Sequence, residues 1–253
     1  MKKRKDWFLF SAIKSAVRFF YPDMQISGKE NIPARDAIIV ANHAQMNGPI
    51  CAELFMPENS YIWCAGQMMH LKEVPEYAFE DFWSGKSKAV KPFFRLLSYI
   101  IAPLSVCVFN NARTVAVYHD MRGLSTFRDT LGKLRDGSVI VIFPEGKTLN
   151  NNILNGFQEK FVDVARLYYK STGKELAFVP MYIAPGLKQI HVLEPVSFDG
   201  TNDIDAERKR ICREVSDAIT ETARSLPLHT VVPYSNIPKK KYLTNKDVTE
   251  VPK

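Results

Sequence analysis

The sequence predicts an α/β protein with a mainly parallel central sheet flanked by helices. Short, continuous apolar runs, such as residues 38–40 and 139–143, are typical of strands buried on both faces. Longer segments with helical spacing of apolar residues alternate with these runs, and turn residues such as Asp136-Gly137 separate the two kinds. Alternation of this kind favours parallel pairing, because a helix returns the chain to the starting edge of the sheet.

The element prediction follows the chain in order. Strands are predicted at residues 36–40, 60–64, 105–109, 138–143, 178–183 and 189–193. Helices are predicted at residues 49–56, 115–134, 156–170 and 205–225, the last capped by Asp203 or Asp205. Another apolar helix begins near residue 92 and is expected to end at Pro103, because proline has no amide hydrogen to donate. The β-branched and aromatic residues that follow it favour the strand at 105–109.

Length and composition predict one compact domain. A chain of 253 residues, 46% of them hydrophobic, buries a large core without a second domain. We predict an N-terminal basic amphipathic helix at residues 1–22, the domain at 23–232, and a polar, loosely held C-terminal tail at 233–253. The four cysteines stand singly, without a histidine at metal-ligand spacing, so no metal site or disulfide framework is predicted.

Two polar motifs follow two of the predicted strands. Asn42-His43 comes directly after the run 38–40, and Phe143-Pro144-Glu145-Gly146 begins where the run 139–143 ends. Either motif alone is most often ordinary loop or turn chemistry. The carboxyl ends of parallel strands meet at one edge of a sheet, so together the motifs predict a site that contains an imidazole and a carboxylate.

These residues resemble the motifs of the glycerolipid acyltransferase superfamily, which contains the bacterial 1-acylglycerol-3-phosphate acyltransferases. The first motif of that family reads Asn-His, four residues, Asp, and its third reads Phe-Pro-Glu-Gly. Residues 108–113, which end in Arg113, are similar to the second motif, and residues 179–182 are similar to the fourth. The likeness covers roughly residues 20 to 200 and implies a glycerol-3-phosphate acyltransferase-like fold.

The resemblance implies an enzyme of phospholipid biosynthesis that needs no cofactor. His43 would act as general base on a hydroxyl of a lysophospholipid, such as lysophosphatidic acid. That hydroxyl would then attack the thioester of acyl-CoA or of acyl-carrier protein. Arg113 would bind the acceptor's phosphate, because its guanidinium matches phosphate oxygens, and the other predicted substrate-binding residues are Glu145, Gly146 and Lys147.

One position departs from the family pattern. Gly48 stands where the family has Asp, so this residue offers no group to orient the His43 ring. Three alternatives stay open: the amide of Gln45 or Asn47 orients the ring, or a carboxylate folds back from the segment with Glu73, Glu76, Glu80 and Asp81, or the protein is a catalytically weak or silent homologue that binds lipid or a partner protein.

The N-terminal segment predicts contact with a membrane surface. The net charge of +7 includes Lys2, Lys3, Arg4 and Lys5, and an aromatic-rich helix follows, with Ser11, Lys14, Ser15 and Arg18 on one face. Such a helix lies in a bilayer interface or packs on the protein's own core, and it is too short to span a membrane. We predict a cytoplasmic protein, peripheral at the inner face of the cell membrane, and no nucleic-acid partner.

Two further segments have open interpretations. Residues 66–91 form an insertion between the motifs, either a packed surface excursion or a lid over a substrate groove. The apolar helix that follows belongs to the core, lines an acyl-chain tunnel or touches lipid.

Overall fold

The computed structural model describes residues 7–248. The basic run of residues 2–5 lies outside the described residues, as do the last five residues of the predicted tail. The chain divides into two compact units. Within the described residues, the first unit comprises residues 7–22 and Ile62–Asp129, and the second comprises Asp23–Tyr61 and residues 130–248. The predicted limits at residues 22 and 232 stay predictions.

Helices and strands alternate along the chain. The helices are α1 (Trp7–Phe20), α2 (Asn47–Phe55), α3 (Val74–Ala78), α4 (Lys91–Asn111), α5 (Gly123–Arg135), α6 (Asp163–Thr172) and α7 (Ile204–Ser225). The strands are β1 (Gln25–Ser27), β2 (Ala37–Ala41), β3 (Ser60–Ala65), β4 (Thr114–Val117), β5 (Val139–Ile142), β6 (Glu145–Leu149), β7 (Asn155–Phe157), β8 (Ala177–Ala184), β9 (Gln189–Val192) and β10 (Val196–Ser197).

The second unit is organised around β2. This strand pairs in parallel with β5 on one side and with β8 on the other, and all five of its residues are buried. Beyond β8 the pairing is mixed, since β8 runs antiparallel to β9 and β10 while β9 runs parallel to β1. This arrangement confirms the predicted α/β class with a mainly parallel sheet. Helix α7 packs on β8 and begins where the Asp203 carboxylate accepts the N–H groups of Asp205 and Ala206, as predicted.

The first unit contains the parallel pair β3–β4 and the helices α1, α3 and α4. Its core cluster is formed by Met68, Val74, Ala78 and Ala102, so the first part of the 66–91 segment is packed into this unit, whereas residues 84–90 are exposed. Among residues 7–248, α4 is the one helix that is long and apolar enough to cross a membrane, judged by length and composition alone.

The strands predicted around β2, β3, β5, β8 and β9, and the helices predicted around α2 and α7, are confirmed within one or two residues. The strand predicted at 105–109 is wrong, because these residues belong to α4, which continues through Pro103. Pro103 lies on the exposed side of that helix.

Two predicted helices begin too early. The helix predicted at 115–134 is preceded by β4, which pairs in parallel with β3, and α5 starts only at Gly123. The helix predicted at 156–170 starts at Asp163, because the residues before it form β7 and a 3₁₀ turn, Glu159–Val162. In both cases strand pairing outweighs the local helical pattern.

The described part of the C-terminal tail is held firmly, contrary to the prediction. Asn245 is fully buried, and its side chain donates to the carbonyl oxygens of Ala223, Leu226 and Pro227. The segment also pairs with the chain that follows α7, through the bridge between Thr230 and Thr244. Buried polar groups need partners, and the partners of Asn245 fix the position of the whole segment.

Candidate functional site

The two motifs lie at neighbouring strand ends in the second unit. Val40 is in register with Ile142, so the chain leaves β2 and β5 at adjacent points of the sheet edge. Asn42 continues the pairing by one residue, since its side chain accepts the N–H of Ile183 at 2.7 Å and donates to its carbonyl oxygen at 3.0 Å. The buried side-chain amide of Asn42 thus pairs with Ile183 as a strand backbone would, and it fixes the position of the next residue, His43.

Glu145 joins the two motifs directly. Its Oε1 accepts the backbone N–H of His43 at 2.7 Å, and its Oε2 accepts the backbone N–H of Asn155 at 2.8 Å. The side chain of Asn155 donates in turn to the carbonyl oxygen of Gly146 at 2.7 Å. The Glu145 carboxylate therefore positions the His43 main chain, and each of its oxygens already accepts one hydrogen bond.

Burial changes the acid strength of this carboxyl. Glu145 is only 3% exposed, and removal from water raises its pKa to about 7, although the N–H groups of Asn155 and His43 oppose this shift. The group therefore carries a charge for only part of the time at neutral pH. Carboxyls with such a pKa are common at functional sites and also occur in structural networks.

The His43 ring lies between two aromatic side chains. Its centroid is 5.3 Å from that of Phe143, at an interplanar angle of 61°, and 5.6 Å from that of Tyr234, at 88°. Both arrangements place the edge of one ring against the face of the other. The Nδ1 atom of this ring is buried, while the residue as a whole is half-buried.

The turn after His43 is strained and tightly packed. Ala44 and Gln45 have φ angles of 45° and 55°, in the left-handed region that residues with a side chain rarely adopt. Gly48 is buried, and a Cβ atom there would lie 2.4 Å from the His43 carbonyl oxygen and 2.8 Å from Cε1 of Phe143. This backbone has no room for the aspartate that the family pattern places at position 48.

The two amides predicted to orient the ring have other contacts. Gln45 donates to the carbonyl oxygen of Ser235 at 3.1 Å and accepts the hydroxyl of Tyr242 at 3.1 Å. Asn47 donates to the carbonyl oxygen of Ala44 at 2.9 Å. These three hydrogen bonds hold the turn that carries the imidazole, and a direct role of either amide in orienting the ring stays a prediction.

The remaining predicted site residues fall on different elements. Gly146 follows Glu145 on β6, where a Cβ would come within 3.3 Å of the Gly156 carbonyl oxygen, and Lys147 is exposed on the same strand. Arg113 belongs to the first unit and is half-buried, and its Nε is buried without a hydrogen-bond partner among the described residues. Glu73, one of the carboxylates proposed to fold back, forms an ion pair with Arg122 at 3.0 Å.

Sequence reasoning missed three residues of this site. Asn155 and Tyr234 are far from both motifs along the chain, and neither belongs to a pattern that predicts their contacts with Glu145 and His43. The third, Phe143, was identified only as the first residue of the Phe-Pro-Glu-Gly motif, and its contact with the His43 ring was not predicted. An alternating or helical period identifies a buried face but not a contact between a loop and a distant segment.

Comparison with known proteins gives structural likeness alone. No protein-family model matches the chain, and no curated protein gives a significant match. Among solved structures, the chain is similar to the crystal structure of the 1-acyl-sn-glycerophosphate (LPA) acyltransferase, PlsC, from Thermotoga maritima. The two are 19% identical, with 88% of this chain and 83% of that chain covered and a TM-score of 0.48.

Proposed function

We propose that this protein is an acyltransferase of phospholipid biosynthesis that moves a fatty acyl group from acyl-CoA or acyl-carrier protein to a hydroxyl of a lysophosphatidic acid-like acceptor. The observation that carries the proposal is the 2.7 Å hydrogen bond between Glu145 and the His43 backbone, which joins the two motifs at adjacent ends of parallel strands. A half-buried imidazole held at a sheet edge suits proton transfer from a substrate hydroxyl.

In the proposed reaction, Nε2 of His43 takes the proton as the acceptor oxygen attacks the thioester carbonyl carbon. A new C–O ester bond forms, the C–S bond breaks, and the departing thiolate takes up the proton. The reaction needs no covalent acyl-enzyme and no cofactor. Holding donor and acceptor side by side supplies most of the acceleration, because it replaces an entropic cost that free reactants would meet.

Charged groups for the acceptor's phosphate form the second part of the proposal. The buried, unpartnered Nε of Arg113 suits an anionic ligand, since a guanidinium offers several N–H groups to phosphate oxygens. Gly146, Lys147 and Glu145 are proposed as further substrate contacts. Arg113→Lys is expected to raise KM for the phosphorylated acceptor about tenfold and to leave KM for the acyl donor within twofold, because Lys keeps the charge but loses the planar geometry.

The activity is tested with purified full-length protein, acyl-CoA or acyl-carrier protein, and lysophosphatidic acid, with formation of diacyl product as the readout. We expect His43→Ala to abolish turnover and His119→Ala to leave it unchanged, because His119 is an exposed imidazole outside both motifs. Turnover that survives His43→Ala would reject the proposed base. Absence of product with every donor and acceptor pair would favour the alternative, a silent lipid-binding or partner-binding homologue, for which Gly48 is the specific observation.

We also propose that the protein works at an anionic membrane surface, at the cytoplasmic face. Helix α4 supports this because its residue pattern is the reverse of that of an ordinary soluble helix. Its buried positions include Ser98, Ala102 and Ser105, whereas Phe93, Leu96 and Ile100 are 64%, 61% and 65% exposed. Small residues inside and large apolar residues outside are typical of helices that face lipid.

The charge around α4 fits the same partner. Residues 82–119 contain no acidic residue, and basic residues cluster at the helix start: Lys86, Lys88, Lys91 and Arg95. Because α4 packs its small-residue face on the core cluster of the first unit, the helix is suited to lie in the bilayer interface. Helix α1, which contacts α4, adds exposed Phe8, Phe19 and Phe20.

Flotation with vesicles tests this surface. Phe93→Ser/Leu96→Ser/Ile100→Ser is expected to weaken binding to phosphatidylglycerol-containing vesicles at least about a hundredfold, because each side chain contributes about 1 kcal/mol or more when its exposed part leaves water. The matched control changes three exposed apolar residues outside α1 and α4: Met121→Ser/Leu124→Ser/Leu149→Ser. Equal binding by wild type and the α4 variant would remove α4 from the proposal, and Phe8→Ser/Phe19→Ser/Phe20→Ser tests α1 in the same way.

A further inference from the structure

We infer that the segment after α7, residues 226–248, completes the site. Within it, Tyr234 is a positioning residue for the His43 imidazole in place of the family's aspartate. The inference rests on the proposed function, because it assigns a role to a group that positions the proposed base. Its starting point is that position 48 cannot supply an orienting side chain, since even a Cβ there would meet the His43 carbonyl oxygen at 2.4 Å.

The ring contact is the first observation. Tyr234 stands almost perpendicular to the imidazole, at 88° with centroids 5.6 Å apart, and Phe143 approaches the same ring from its own strand end at 5.3 Å. Two neighbours in edge-to-face contact restrict rotation of the imidazole about its Cβ–Cγ bond. The imidazole is therefore held by steric contact with the two rings and by electrostatic attraction between ring edges and ring faces.

A second contact ties the same segment to the turn after His43. The Gln45 amide donates to the Ser235 carbonyl oxygen and accepts from the Tyr242 hydroxyl, so its two ends are bonded to the residue after Tyr234 and to a second point of the same segment. Gln45 is also one of the two strained residues of that turn, with φ of 55°. Strained backbone persists where surrounding contacts hold it, and these two bonds supply such contacts.

The segment is rigid enough to act in this way because its base is anchored. Val231 donates to the Leu243 carbonyl oxygen at 2.8 Å, and the Asn245 side chain accepts the His229 N–H at 3.0 Å. The His229 ring bonds the Tyr182 hydroxyl on β8 at 2.8 Å, with both residues buried. The tip that carries Tyr234 therefore projects from a base that is bonded to the central sheet.

Ring-current shifts of the His43 imidazole protons in NMR spectra, assigned by comparison with His43→Ala, report this contact without any activity measurement. We expect Tyr234→Leu to move these resonances and to lower kcat about three- to tenfold, with KM for both substrates within twofold. Tyr234→Phe keeps the ring and is expected to restore both values. Restored values in Tyr234→Phe would show that the ring positions the imidazole and that the tyrosine hydroxyl takes no part in the chemistry.

Gln45→Ala is the second variant, because it removes both bonds to the segment and leaves every ring in place. It is also expected to move the His43 resonances, by an amount smaller than Tyr234→Leu. Unchanged His43 resonances in Gln45→Ala would overturn the inference whatever the activity, because Tyr234→Leu moves them by loss of its ring current alone. Moved resonances in a protein that forms no diacyl product would support the positioning role and reject the proposed function, so the two failures are distinguishable.

Discussion

Gly48 offers the sharpest test of how the site is packed. In Gly48→Ala the new methyl group would lie 2.4 Å from the His43 carbonyl oxygen, 3.0 Å from the carbonyl carbon and 2.8 Å from Cε1 of Phe143. Two of these atoms are backbone and cannot rotate away, so the start of α2 must shift and strain the 3.0 Å bond from the Gly48 N–H to His43. Overpacking of this kind costs about 1–3 kcal/mol or more.

The expected net loss is about 2 kcal/mol, because alanine in a helix also recovers up to about 1 kcal/mol of intrinsic propensity. Gly132→Ala is the matched control. It is also a helical glycine, on α5, and a Cβ there meets nothing within 4 Å, so a gain of about 0.5–1 kcal/mol is expected. Urea unfolding followed by circular dichroism measures both free energies of unfolding. Changes of the same sign in the two variants would refute the packing argument, as would a Gly48→Asp protein that matches wild type in stability.

Three further predictions concern the hydrogen bonds that hold the site. Glu145 has a pKa of about 7 in the fold against 4.5 ordinarily, so it contributes about 3 kcal/mol of stability that is fully present below pH 4.5 and lost as the pH rises through 7. Wild type should therefore lose about 3 kcal/mol of stability relative to Glu145→Gln between pH 5 and 8 in urea titrations, and a difference that does not change with pH would contradict the assignment. Asn42→Ala leaves both backbone groups of Ile183 unpaired and should cost about 2–5 kcal/mol in the same assay. Asn245→Ala should lower thermal stability and move the resonances of the His43 ring, whereas unchanged resonances would show that the segment holds its place without that anchor.

The central strands were predictable because burial on both faces leaves a simple signature. Each residue of β2 and of β5 is buried, so each strand is a continuous apolar run with no alternation to misread. The same signature misled at residues 105–109, where apolar and β-branched residues belong to a helix whose outer face is exposed and apolar. Helix α4 does not alternate a polar outer face with an apolar inner face, so its sequence lacks the usual pattern of a helix. Pro103 was then the strongest local signal, and it was wrongly interpreted as a helix end.

The pairing of His43 with Glu145 was predictable for a different reason. Parallel strands bring their carboxyl ends to one edge, so two motifs about a hundred residues apart meet there by topology alone. The carboxylate of Glu145, however, bonds two backbone N–H groups, a local detail that topology does not determine. The contact of Tyr234 depends on how a segment near the end of the chain folds back, and no periodic pattern in the sequence encodes that path.

Positioning by aromatic rings changes what the base can do. A carboxylate beside an imidazole both fixes the ring and stabilises the imidazolium that forms when a proton is taken. Phe143 and Tyr234 fix the ring but carry no negative charge, and the Glu145 carboxyl, with a pKa of about 7, bonds backbone rather than the ring in the contacts that involve His43. Holding the acceptor hydroxyl against the thioester supplies a large share of the rate of the proposed transfer. Removal of the acceptor's phosphate should therefore lower kcat as well as raise KM, because a loosely held hydroxyl spends less time in reach of Nε2.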